Sequence, residues 1–71
     1  MYIKRIRDLR EDNDLTQTEL GNILHISQRT YSHYEMGTRD IPIDILIQLA
    51  HFYNTSVDYI LGETNEKRPY K

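Results

Sequence analysis

Two helix-start signals crowd together in LTQTELGNILHISQRTY. Thr16 with Glu19 three residues on is a capping box: hydroxyl and carboxylate each satisfy a backbone amide that a helix N-terminus leaves unpaired. Leu15 before the cap and Leu20 after it stand at the positions of a hydrophobic staple. Ser27 opens a second helix, with Ile26 and Tyr31 at its staple positions. Only His25 and Ile26 lie between Leu24 and Ser27. The connection is therefore an abrupt turn rather than a loop, and the staples fix the angle at which each helix enters. The middle of the chain is constrained to helix, tight turn, helix.

The remainder also reads as helix. Tyr2 to about Asn13 carries Ile3, Ile6 and Leu9 on one face. In the middle pair, Leu20, Ile23 and Leu24 form the expected buried face of the first helix, and Gly37 closes the second. A fourth helix starts near Pro42 and runs to about Tyr53, with Leu46, Leu49, Ala50 and Tyr53 at helical spacing and Asn54 as its left-handed stop. A fifth spans Ser56 to Leu61 and is closed by Gly62. ETNEKRPYK lacks periodicity and is expected to be a disordered tail. No strand signal or repeat interrupts this pattern. The expected class is all-α, a compact bundle of five short helices, with a domain over 1–62, a helix-turn-helix at about 17–36 and a tail over 63–71.

At 71 residues the chain has room for one domain near the lower limit for a single hydrophobic core, and with Cys 0 it has no disulfide or thiolate brace. MYIKRIRDLRED has no apolar stretch between its charges, so it is not a signal peptide, and no run approaches the roughly 18 apolar residues of a membrane span. A cytoplasmic, nucleoid-associated protein is expected. The net charge of −2 argues weakly against a phosphate partner, but its distribution matters more. No acid occurs between Leu20 and Tyr34, so one surface can be neutral or positive while the acids face elsewhere.

That surface is SQRTYSH. A helix fits the major groove of duplex DNA, and residues at its N-terminus commonly reach base edges. Gln28 can pair in bidentate fashion with adenine, and Arg29 with guanine N7 and O6. Thr30 can touch a thymine methyl or a phosphate, and His33 stands one turn beyond Arg29. Thr16 and Gln17 lie at a helix N-terminus, where free amides attract an anion. Thr38 and Arg39 follow the second helix and can grip the backbone from the other side. Ser27, the cap itself, completes the candidate DNA-binding set.

With these residues in place, the chain resembles the Cro and phage-repressor type helix-turn-helix family, the XRE-like transcriptional regulators. The resemblance is carried by IRDLREDNDLTQTEL, ISQRTYSHYEMGTR and IPIDILIQLAHFYNTSVDYILG, which cover about Ile3 to Gly62. It implies a lambda-repressor-like DNA-binding domain, base contacts from Gln28, Arg29, Thr30 and His33, and a Gln17 that braces both the DNA backbone and the start of the recognition helix. It also implies that Arg10 pairs with Glu35 beneath the motif. Two residues depart from the family pattern: Gly21, where a small residue such as alanine is usual, and His25, where the turn usually holds glycine. The function expected is a sequence-specific transcriptional regulator, a repressor, binding double-stranded DNA as a homodimer on an inverted repeat. The alternative is an antitoxin or other protein-interaction module of the same fold, with a toxin as partner.

Other chemistries find no support. His25, His33 and His51 are too scattered for a metal site, so neither metal nor cofactor is expected. Ser32 and His33 point different ways, which argues against a hydrolase dyad, and no catalytic residue is assigned. Asp8, Glu11, Asp12 and Asp14 read as a solvated face. Lys4, Arg5 and Arg7 are either solvated helix surface or phosphate contacts. Tyr31 and Tyr34 read as core, while Tyr59 and Ile60 fit equally a core or a dimer surface.

Overall fold

The computed structural model describes residues 1–68. Five α-helices and no strand occur among them: α1 (Lys4–Asp12), α2 (Gln17–Leu24), α3 (Gln28–Met36), α4 (Ile43–Phe52) and α5 (Val57–Leu61). They divide between two units, Met1–Ile41 with α1 to α3 and a second from Pro42 onward with α4 and α5.

In the first unit α1 begins two residues later than the apolar pattern suggests, because Ile3 is extended (φ −121°, ψ 97°) and offers no side-chain cap. Ile3, Ile6 and Leu9 are buried, as their spacing requires. On the exposed side Lys4 pairs with Asp8 at 3.0 Å and Arg7 with Glu11 at 3.5 Å. Both are i,i+4 pairs of the kind that lends an isolated helix a few tenths of a kcal/mol, about 0.2–0.5.

α2 is capped reciprocally by Thr16 and Glu19. It ends on His25, which adopts the left-handed conformation (φ 59°, ψ 38°), and Ile26 then donates back to the Gly21 carbonyl at 2.9 Å. The tightness of this turn accounts for Gly21. A Cβ there would lie 2.9 Å from the Ile26 carbonyl oxygen and 3.2 Å from the Gln28 nitrogen, both backbone atoms with little room to yield. Ile23 departs from expectation: it is 37% exposed. The packed stripe is Leu20, Gly21 and Leu24, and Ile23, about 100° round the helix from Leu24, falls at its edge.

α3 is capped by Ser27, whose Oγ accepts from the Thr30 amide at 3.0 Å. Tyr31 is fully buried and Tyr34 nearly so, which makes both core residues. Gly37 ends the helix at φ 78° and lies against Tyr2, whose Cα would sit 2.9 Å from an added Cβ.

In the second unit Pro42 stands as the N-cap of α4 (φ −65°, ψ 151°), just outside the first turn. Ile45, Leu46, Leu49 and Ala50 are buried along one side. Asn54 takes the left-handed stop at φ 53°. Ser56 caps α5 through the Tyr59 amide at 3.0 Å, and Gly62 closes it at φ 84°. Ile60 is 1% exposed and belongs to the core. Beyond α5, the Thr55 hydroxyl donates to the Lys67 carbonyl and Glu66 pairs with Arg68 at 3.0 Å. The last part of the expected tail, 69–71, lies outside the described residues. No described helix is long and apolar enough to cross a membrane.

Candidate nucleic-acid interface

The site is built on α2 and α3 of the first unit. Its foundation is an ion pair between the buried Glu35 and the partly exposed Arg10. Arg10 Nε donates to Glu35 Oε2 at 2.7 Å and Arg10 Nη2 to Oε1 at 3.1 Å, a bidentate fork, while Nη1 reaches the Leu15 carbonyl at 2.8 Å. Burial alone pushes the Glu35 carboxyl up. Hydrogen bonds from Arg10 and Tyr31, the Arg10 charge and a hydrogen bond from Gln17 outweigh it, and the group is held below its ordinary range. The one acid of α3 is thus turned inward and neutralised, away from the exposed face.

From that pair a polar relay runs to the tip of α3. Gln17 Nε2 donates weakly to Glu35 Oε1 at 3.4 Å, and Gln17 Oε1 accepts from Gln28 Nε2 at 2.8 Å. Gln28 is left exposed, with its carbonyl oxygen and second amide hydrogen uncommitted. That is the donor–acceptor pair which matches adenine N7 and N6. Arg29 is also exposed, with no hydrogen bond or ion pair among the described residues. The two stand side by side at the N-terminus of α3.

The other candidates are distributed less simply. The Ser27 hydroxyl is spent on its cap: it accepts from the Thr30 amide and donates to Thr30 Oγ1 at 2.8 Å. Thr30 Oγ1 accepts there, which leaves its own hydroxyl hydrogen uncommitted to Ser27. The Thr16 hydroxyl and amide are both engaged by Glu19, at 3.1 and 3.0 Å. A carboxylate thus occupies the N-terminus of α2, which is less open to a phosphate than Thr16 alone suggests. Arg39 is exposed just past α3. Thr38 is not free: its Oγ1 lies 2.7 Å from His33 Nδ1. This pairing escaped the sequence reading. Its signal was Gly37, because a left-handed closing residue folds the next residues back beside the last turn of the helix.

Of the basic trio on α1, Lys4 and Arg7 are engaged with their own helix. An open cavity of about 330 Å³ lies over the relay, lined by Tyr2, Arg7, Arg10, Gln17, Glu35 and Met36. Among the described residues no three His, Cys, Asp or Glu side chains gather where they could hold a metal ion.

Comparison with known proteins bears on this geometry. The family model for Helix-turn-helix matches residues 6–60. The HTH-type transcriptional regulator YobD of Bacillus subtilis (strain 168) is 41% identical over 69 residues, 97% of this chain and 62% of that protein. The cryptic phage CTXphi transcriptional repressor RstR of Vibrio cholerae is 33% identical over 64 residues, 90% of this chain and 58% of RstR. A crystal structure of a transcriptional regulator from Listeria innocua superposes with a TM-score of 0.78 at 26% identity, over 86% of this chain and 57% of that one. The chain spans about three-fifths of the length of these curated relatives.

Proposed function

Since the chain belongs to the helix-turn-helix family, we propose that it is a sequence-specific DNA-binding transcriptional regulator that seats α3 in the major groove. The observation that carries the reading is the Gln28–Arg29 tip: one residue held by Gln17, the other free, and the nearest acid of the helix locked onto Arg10. Phosphate affinity on a chain of net charge −2 must come from local placement rather than from the total, and the acid-free face supplies it.

In this reading Gln28 and Arg29 touch base edges, with Thr30 and His33 beyond them. Gln17 sets the Gln28 rotamer, and Arg39 steadies the duplex backbone. Repression is the favoured sign. A protein seated on a promoter blocks polymerase by occupancy, and RstR is named a repressor. One module has a modest footprint, so two copies would read an inverted repeat with half-sites about 34 Å apart.

Selection from random duplex DNA tests this. One motif is expected to emerge. Gln28→Ala and Arg29→Ala are each expected to weaken the selected site by about 1–3 kcal/mol and to relax base preference. Arg39→Ala should weaken selected and random DNA alike. Titration at low ionic strength that finds no preference for any duplex over scrambled competitor would defeat the proposal.

A further inference from the structure

The basic residues of α1 read from sequence as either solvated surface or phosphate contacts, and the structure separates them. Lys4 holds Asp8 at 3.0 Å and lies outside the open cavity over the relay, whereas Arg7 lines it together with Tyr2, Arg10, Gln17, Glu35 and Met36. Arg10 and Glu35 neutralise one another in their bidentate pair, so the charge that the cavity presents is that of Arg7. Arg7 is loosely held. Its Nε stands 3.5 Å from Glu11 Oε1, longer than the roughly 2.7–2.9 Å of a well-formed charge-assisted bond, and both side chains are more than half exposed. A pair of that kind contributes little to stability. Tyr2 and Met36, also more than half exposed, give the rim apolar surface beside the cation. Gln17, in the first turn of α2, holds Gln28, so the cavity is continuous with the tip of α3.

We infer that this cavity is a backbone subsite: it takes one phosphate of the duplex with its deoxyribose, and Arg7 leaves Glu11 to grip that phosphate. The inference rests on the DNA-reading proposal above and deepens it, adding a contact from α1 to those of α2 and α3. A guanidinium offers a planar fork of donors that matches two phosphate oxygens, so Arg7 exchanges one long contact for a bidentate one. Tyr2 and Met36 cover the sugar, the least polar part of the nucleotide backbone. Glu11 is then a competitor. It holds Arg7 when DNA is absent, and its own charge repels a phosphate. The contact carries no base preference and sets how the duplex lies against the first unit.

Titration of the duplex selected from random DNA, and of a scrambled one, at several salt concentrations tests this. The variants are at exposed positions, and circular dichroism checks that each is folded. Arg7→Gln is expected to weaken both duplexes by the same factor, about two- to fivefold, and to reduce the slope of log affinity against log salt by about 1. Lys4→Gln removes the same charge one turn earlier, outside the cavity, and should leave that slope unchanged. Glu11→Gln should strengthen binding about twofold in the wild type and by less in the Arg7→Gln background. Unchanged affinity and slope in Arg7→Gln, an equal loss of slope in Lys4→Gln, or an equal gain from Glu11→Gln in both backgrounds overturns the inference while the base preferences at Gln28 and Arg29 stand. A wild type that prefers no duplex removes the DNA reading itself, and this subsite with it.

Discussion

Replacing Arg10 with alanine removes the support beneath the recognition helix, and its cost follows from the geometry. Three hydrogen bonds go at once, two to Glu35 and one to the Leu15 carbonyl. The Glu35 side chain is only 4% exposed, so its carboxylate is left charged, buried and short of a counter-ion. Breaking a buried pair from one side costs about 3–5 kcal/mol, against about 0–1 kcal/mol for a pair in solvent. A chain of 71 residues has a total stability of only about 4–10 kcal/mol at ordinary values per residue. Arg10→Ala is therefore expected to lose about half of it and to lower Tm by about 4–8 °C for each kcal/mol. The loss should also depend on pH. In the variant, burial drives the Glu35 carboxyl up with only Tyr31 and Gln17 opposing it, so acid relieves the strain by protonation. The gap between variant and wild type should narrow as pH falls. Urea denaturation at neutral and acidic pH measures this, with Glu35→Gln and the double variant closing a thermodynamic cycle. A neutral-pH loss under about 1 kcal/mol, with no narrowing on acidification, would refute the claim that the pair is buried and charged.

Other perturbations test the turn and the acid limb. Gly21→Ala gains about 1 kcal/mol of helix propensity but forces a methyl to 2.9 Å from the Ile26 carbonyl, so a net loss of about 1–2 kcal/mol is expected by thermal melting. His25→Gly releases a left-handed residue and should gain about 0.5–1 kcal/mol in the same assay; a loss would mean that the imidazole itself holds the turn. Because the folded Glu35 carboxyl is depressed below its ordinary 4.5, its contribution is complete above that pH and is lost as pH falls through the folded value. Glu35→Gln should flatten that acid limb of the stability profile, and an unchanged limb would assign it to other carboxylates. Thr55→Val removes the hydroxyl that ties Lys67 to the turn before α5 and should cost about 1 kcal/mol, read by denaturant midpoint.

Much of this was legible because it is local. Thr16, Ser27 and Ser56 each accept from an amide three residues ahead, and Gly37, Asn54 and Gly62 take left-handed stops, since capping needs nothing beyond its own turn. Tyr31 and Tyr34 fell to the core through spacing alone. Ile23 did not, because the width of a packed stripe is set by what packs on it, and periodicity gives only its centre. The left-handed Asp14 also escaped notice: aspartate tolerates that conformation but does not demand it. Within the site, the Arg10–Glu35 pair was anticipated from family resemblance, while the spacing of two residues so far apart in sequence could not have revealed it. The side-chain bonds from Ser27 to Thr30 and between Thr38 and His33 were hidden for a different reason. A side chain's type gives its capacity to bond, and only its neighbours decide what remains unspent.

If α3 reads DNA as proposed, the Gln17–Gln28 bond has a consequence for how strictly each base is judged. An amide already pinned gives up little motion when it meets a partner, whereas ordering a long free side chain costs about 0.5–1.5 kcal/mol. On the proposed reading, Gln28 makes only the match for which Gln17 sets it, and a wrong base forfeits it. Arg29, exposed and without such a tether among the described residues, would on the same reading trade one imperfect contact for another. Operators read in this way would tolerate drift under the arginine and resist it under the glutamine.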